Sequence, residues 1–175
     1  MLNLFLKYKT KKLLKNSKRE KVFLNWEQIH SVLIVFDTRD YEEVDALIEY
    51  LEKKGKKVKS YAYKNKNDNY DYSETPHTIV SKKGLNGWSG DLDRMAERLK
   101  KEKMDLALDL NLKRNSLLEY IFIAANASLK AGYKKTDRPI YDVTITALPV
   151  ENKESPRPIM ELAKQIIYYL SKIKN

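Results

Sequence analysis

Asp105-Leu106-Ala107-Leu108-Asp109-Leu110-Asn111 alternates apolar and polar side chains over the length of one strand. Leu129-Lys130-Ala131-Gly132-Tyr133 follows as a second short strand that turns out on a glycine. Between them Leu117, Leu118, Ile121, Phe122 and Ala125 recur at helical spacing. Strand, helix and strand in that order form a β-α-β unit, the repeat of a parallel sheet covered by helices. The architecture follows from this stretch; the activity does not.

The same alternation of elements extends outward. Ser31–Asp37 (SVLIVFD) is almost continuously apolar, as a central parallel strand buried on both faces should be. Residues 41–54 place Val44, Leu47, Ile48 and Leu51 on one helical face, and Gly55 stands where a helix ends in a left-handed residue. Residues 57–63 and 77–81 read as the second and third strands, separated by a polar Asn- and Asp-rich connection. A helix runs through Lys101, with Ser89 or Asp91 as its N-cap. The strand 104–110, the helix 115–127 and the strand 129–133 come next. Residues 141–148 (YDVTITAL) are β-branched and predict a further strand; Pro156 and Pro158 announce a last helix over 158–173. With right-handed crossovers this order predicts a three-layer, Rossmann-like α/β sandwich. Its sheet is mostly parallel, with about six strands in the order 3-2-1-4-5-6.

The 175 residues suit one domain with a sizeable core. Hydrophobic residues make up 42% and charged residues 33%, a globular balance. The absence of cysteine excludes disulfides, thiolate metal sites and a cysteine nucleophile. No stretch reaches the roughly 18 apolar residues of a membrane span. At the N-terminus apolar residues precede the lysines, the reverse of a secretory signal, so a cytoplasmic location is expected.

Charge is concentrated at one end. Residues 1–21 hold eight lysines and arginines against Glu20 alone, which is seven of the ten net positive charges. Residues 1–22 are therefore read as a basic amphipathic helix (helical over 3–18) and 23–175 as the single α/β domain. Phe5, Lys7, Lys9, Lys11, Lys12 and Lys15 are its candidate contacts with an anionic membrane surface at the inner face or with a protein partner. Nucleic acid is a competing partner, but Phe5, Leu6, Leu13 and Leu14 favour a membrane or a protein groove. A third reading packs this face on the sheet and leaves the lysines solvated.

Most catalytic signatures are missing: no G-x-G-x-x-G after the first strand, no Walker A motif, no G-x-S-x-G elbow. His30 and His77 have no metal-ligand spacing, and neither metal nor cofactor is expected. Topology supplies the remaining site. In an open parallel sheet, ligands bind beyond the carboxyl ends of strands where the strand order reverses. Asp37, Thr38 and Asp40 arrive there from the first strand; Asp109, Asn111 and Arg114 arrive from the fourth. Two carboxylates brought together would hold Mg²⁺ or act as a general base. Alternatively, Asp37 and Asp109 accept from backbone N–H groups of the neighbouring turns. The loop Gly84–Gly90 is a second candidate, with Lys82, Asn86 and Trp88 as ligand contacts, or it is a turn whose Trp88 covers the core edge.

Four features carry a family resemblance over nearly the whole length. They are the basic leader, VLIVFDTRD at 32–40, SKKGLN-W-G at 81–90, and DLALDLN…SLLEYIFIAANASLKAGY at 105–133 with YDVTI…QIIYYLSKI after it. They resemble a family of small bacterial proteins known only as a domain of unknown function, which implies no chemistry. Residues 31–133 are also similar to the N-terminal Rossmann-like half of the lipopolysaccharide heptosyltransferases, B-fold glycosyltransferases with two domains. In that family the first strand runs into a Leu-Gly-Asp turn whose Asp activates the acceptor. Here the turn is Asp37-Thr38-Arg39-Asp40-Tyr41, without glycine, and Asp40 is the match. Two functions follow. One is a non-enzymatic binding or scaffold module acting through its basic helix; the alternative is a nucleotide- or sugar-binding enzyme using the strand-end aspartates.

Overall fold

A computed structural model describes residues 2–82, 89–147 and 158–174. Its strands are β1 (Ser31–Asp37), β2 (Lys57–Tyr63), β3 (Thr78–Val80), β4 (Lys103–Asp109), β5 (Asn126–Tyr133) and β6 (Val143–Ile145). They form one sheet in the order β3-β2-β1-β4-β5-β6, every neighbouring pair parallel. The strand order read from the sequence is the order found. The helices are α1 (Leu2–Lys15), α2 (Tyr41–Lys53), α3 (Ser89–Lys101), α4 (Ser116–Ala124) and α5 (Pro158–Ser171), with short 3₁₀ turns at Trp26–Gln28 and Thr38–Asp40. Among the described residues no helix is long and apolar enough to cross a membrane.

Alternation along the central strands builds two cores. Val32, Ile34 and Phe36 of β1 join Leu106 and Leu108 of β4 on the face covered by α2 and α5. Leu33, Val35 and Ala107 point the other way, into the layer of α1, α3 and α4. Both faces are covered, so the central strands carry no polar face, as their sequence requires. The two strands are tied together at their starts. One carboxylate oxygen of Asp105 accepts from the His30 and Ser31 backbone N–H groups at 2.8 and 2.9 Å. Helix α2 ends at Gly55, whose φ of 75° lies in the left-handed region.

The boundaries that differ most from the sequence reading lie around α4 and β5, at β6 and at the end of α1. The helix expected over 115–127 stops at Ala124, and β5 begins at Asn126 with no loop between them. Ala125 is already extended (φ −60°, ψ 130°), because Asn126 and Ala127 pair in register with Lys103 and Met104 of β4. Sheet pairing outweighs the helical propensity of Ala125 and Ala127. The strand expected over 141–148 is only Val143–Ile145, and Leu148 lies outside the described residues. Tyr141 and Asp142 are held by side-chain bonds instead: the Tyr141 hydroxyl donates to Asp109, and Asp142 binds Arg19. The helix expected over 3–18 ends at Lys15.

Gly132 lies inside β5, not at a turn. A Cβ there would meet the Tyr141 ring at 2.8 Å and the Asp109 carbonyl oxygen at 2.9 Å. The crossing of Tyr141 over β5 therefore requires glycine.

Candidate functional site

The carboxyl ends of β1 and β4 meet at the reversal of strand order, and a cleft of about 230 Å³ opens there. Asp37, Arg39 and Asp40 line it from the β1 side; Asn111, Lys113, Arg114 and Asn115 line it from the β4 side; α5 closes it with Pro158 and Ile159. Local chemistry explains each wall. Asp37 caps the 3₁₀ turn: its Oδ1 accepts the Arg39 backbone N–H at 3.1 Å, and the Arg39 guanidinium clasps both carboxylate oxygens at 2.8 and 3.0 Å. Thr38 is buried and its hydroxyl donates to Asp68 at 2.6 Å. Asn115 caps α4 by accepting from the Leu117 and Leu118 N–H groups.

Asp40 is the one acid of this cleft with no hydrogen bond among the described residues. Burial pushes its pKa up to about 6, and the neighbouring Asp37 and Glu43 carboxylates add to the rise while Arg39 opposes it. Two other candidate residues are locked. Oδ1 of Asp109 accepts from the Asn111 backbone N–H and from Asn111 Nδ2, at 3.1 and 2.7 Å; Oδ2 accepts from Lys135 Nζ at 2.6 Å and the Tyr141 hydroxyl at 2.8 Å. Asp109 is buried and borders a pocket of about 10 Å³, room for a single water at most. Asn111 also donates to the Val35 carbonyl at 3.2 Å, which ties the end of β4 to β1. Asp37, Asp40 and Asn111 thus share a cleft that Asp109 does not line. Lys82 is exposed and is not among the residues lining that cleft; Asn86 and Trp88 lie outside the described residues. Among the described residues no group of three or more His, Asp or Glu side chains is placed to hold a metal ion.

The sequence reading passed over Arg39, Lys113 and Asn115. Arg39 was findable: an Asp two residues ahead of an Arg, after a strand, is an Asx turn with an ion pair folded over it. Lys113 carried no signal beyond its nearness to Asn111.

The second candidate surface is α1. Leu6 is 0% exposed and Thr10 2%, both facing away from solvent, and Leu6 joins the core with α4. Lys9 turns inward as well, with its Nζ 2.7 Å from Asp93 of α3 and 5.3 Å from the Phe5 ring centroid. Phe5 and Lys9 therefore belong to the packed flank. Opposite the buried face, Leu4, Tyr8, Lys11 and Lys15 follow at i, i+4, i+7 and i+11. Leu4 is 72% and Tyr8 65% exposed, and Lys7, Lys11, Lys12 and Lys15 are all exposed. A helical wheel of residues 2–15 would have separated the two stripes from sequence.

The leader is also bolted down past its helix. Arg19 donates to both oxygens of Asp142 at 2.6 and 2.7 Å and to the carbonyls of Ala127 and Ser128 at 3.2 Å. Burial alone would raise the Asp142 pKa; the Arg19 pair, with help from the Lys130 backbone N–H and Lys21, holds it below the usual carboxylate range.

Comparison with curated proteins returns no match. Comparison with family models does: the basic helix, both strand ends and the closing helix all fall within one match over residues 3–173, and the chain belongs to that family, a family of unknown function (DUF6913).

Proposed function

We propose that the protein is a binding module that seats on an anionic membrane surface through the outer face of α1. One observation carries this reading: Leu4, Tyr8, Lys11 and Lys15 form a single outward stripe directly opposite the face that α1 buries, with Lys7 and Lys12 beside it. On this stripe Leu4 is 72% and Tyr8 65% exposed, side by side with lysines on one helix face. Lysines flanking apolar groups suit the headgroup region, where the apolar side chains enter and the ammonium groups meet phosphate. Each basic residue near such a surface is worth about 1 kcal/mol, so four contribute about 4 kcal/mol, roughly a thousandfold in partition.

The test is co-sedimentation of the full chain with vesicles of phosphatidylglycerol and phosphatidylcholine, against phosphatidylcholine alone. Binding to the anionic vesicles is expected to weaken steeply with salt, because these charges are exposed. Lys11→Glu/Lys15→Glu should release the protein, whereas Lys172→Glu on the distant α5 end should not. Equal pelleting with neutral vesicles, or the same pelleting after charge reversal, would sink the proposal.

A further inference from the structure

On the β4 side of the cleft, positive charge exceeds what the neighbouring acids neutralise. Glu119 is buried and accepts from two guanidinium groups: Arg114 at 2.6 and 3.0 Å and Arg138 at 2.9 Å. One positive charge of that trio is left over. Lys113 lines the cleft, is exposed, and has no ion pair or hydrogen bond among the described residues. Arg39 engages Asp37 through Nε and Nη2, and Arg114 engages Glu119 through the same two nitrogens. Each keeps its other terminal nitrogen uncommitted among the described residues. Against these donors stands Asp40, the cleft carboxyl with no hydrogen bond among the described residues, Asp37 being held by Arg39.

This asymmetry describes a ligand with an anionic end and a neutral hydroxyl end. We propose that the cleft binds a small phosphate monoester, its phosphate on Lys113 and the free guanidinium ends of Arg39 and Arg114, and a hydroxyl of the esterified sugar donating to Asp40. Guanidinium and ammonium groups make short, charge-assisted hydrogen bonds to phosphate oxygens. The carboxyl supplies selectivity, because a site built to accept from a hydroxyl rejects an analogue that lacks it. The cleft's 230 Å³ is below the ~300–1,000 Å³ of drug-sized pockets, which limits the ligand to roughly a sugar phosphate. This site is independent of the α1 surface.

The experiment is calorimetric titration of the full chain with ribose 5-phosphate, inorganic phosphate and ribose. Ribose 5-phosphate should bind, inorganic phosphate about tenfold more weakly, and ribose undetectably. Lys113→Glu, an exposed change that leaves packing alone, should weaken both phosphates by about tenfold or more. Asp40→Ala should tighten inorganic phosphate, because a repelling carboxylate is gone, and should erase the preference for the ester. Lys11→Glu/Lys15→Glu should change none of this, so the proposal and the membrane reading fail separately. Absence of phosphate binding, or Lys113→Glu titrating like the wild type, would overturn the site. Equal affinity for inorganic phosphate and ester in the wild type would overturn the hydroxyl contact.

Discussion

Lys130 places its ammonium group at the C-terminal end of α4, 2.7 Å from the Phe122 carbonyl and 2.8 Å from that of Ile123, and 5.4 Å from the Phe122 ring centroid. A cation there satisfies carbonyls that the helix leaves open and meets the negative end of its dipole. The residue is only 3% exposed. Burial lowers its pKa to about 7, Arg19 repels it further, and Asp142 opposes the fall. An unfolded lysine keeps its proton to about pH 10.4. Between about pH 7 and 10.4 the unfolded chain therefore binds more protons, and stability contributed by Lys130 rises with pH across that window. Urea unfolding of wild type and Lys130→Met should show a difference that moves in favour of the wild type from about pH 6.5 to about pH 9.5. Parallel curves would mean that the folded and unfolded pKa values are equal. Nothing in LKAGY announces this role. Periodicity can place Lys130 on a strand, but only the handover from α4 to β5 without a loop brings its side chain back over the helix it follows.

Among the elements, β5 depends on one missing methyl group. Gly132→Ala would drive a Cβ against the Asp109 backbone and the Tyr141 ring, and the backbone atom cannot swing aside. Overpacking of this kind costs about 1–3 kcal/mol, read as a lower urea midpoint with an unchanged m value. A midpoint equal to the wild type would show that the crossing is loose. The elements that could be read from sequence were those with one dominant pattern. SVLIVFD could only be a strand covered on both faces, and Val44, Leu47, Ile48 and Leu51 could only share a helix face. The ends of β5 and β6 could not be read. They are set by partners distant in sequence: Asn126 paired with Lys103, Tyr141 with Asp109, and Asp142 with Arg19.

For the whole molecule, the same separation explains the candidate site. Strand order located the crevice, and Asp37, Asp40 and Asn111 are in it. That Asp109 is enclosed depends on Lys135 and Tyr141, which reach it from beyond β5. The leader packs against the α/β domain, one of the readings the sequence left open: α1 buries Leu6 on the α4 layer, and Arg19 neutralises Asp142, whose side chain is buried. Removing residues 1–21 should cost about 2 kcal/mol or more, because it uncovers the core that Leu6 buries and removes the Arg19–Asp142 pair. Thermal or urea unfolding of the truncated chain measures this; stability equal to the full chain would show that the leader is an appendage. Helix α1 also leaves the ribosome before α4, which lies more than a hundred residues behind it. At bacterial or eukaryotic elongation rates of about 5–20 residues per second, Leu6 waits roughly 5 to 20 seconds for its cover. During that interval the nascent chain carries Leu6 and Phe5 among the lysines of α1 with the surface that will cover them not yet made.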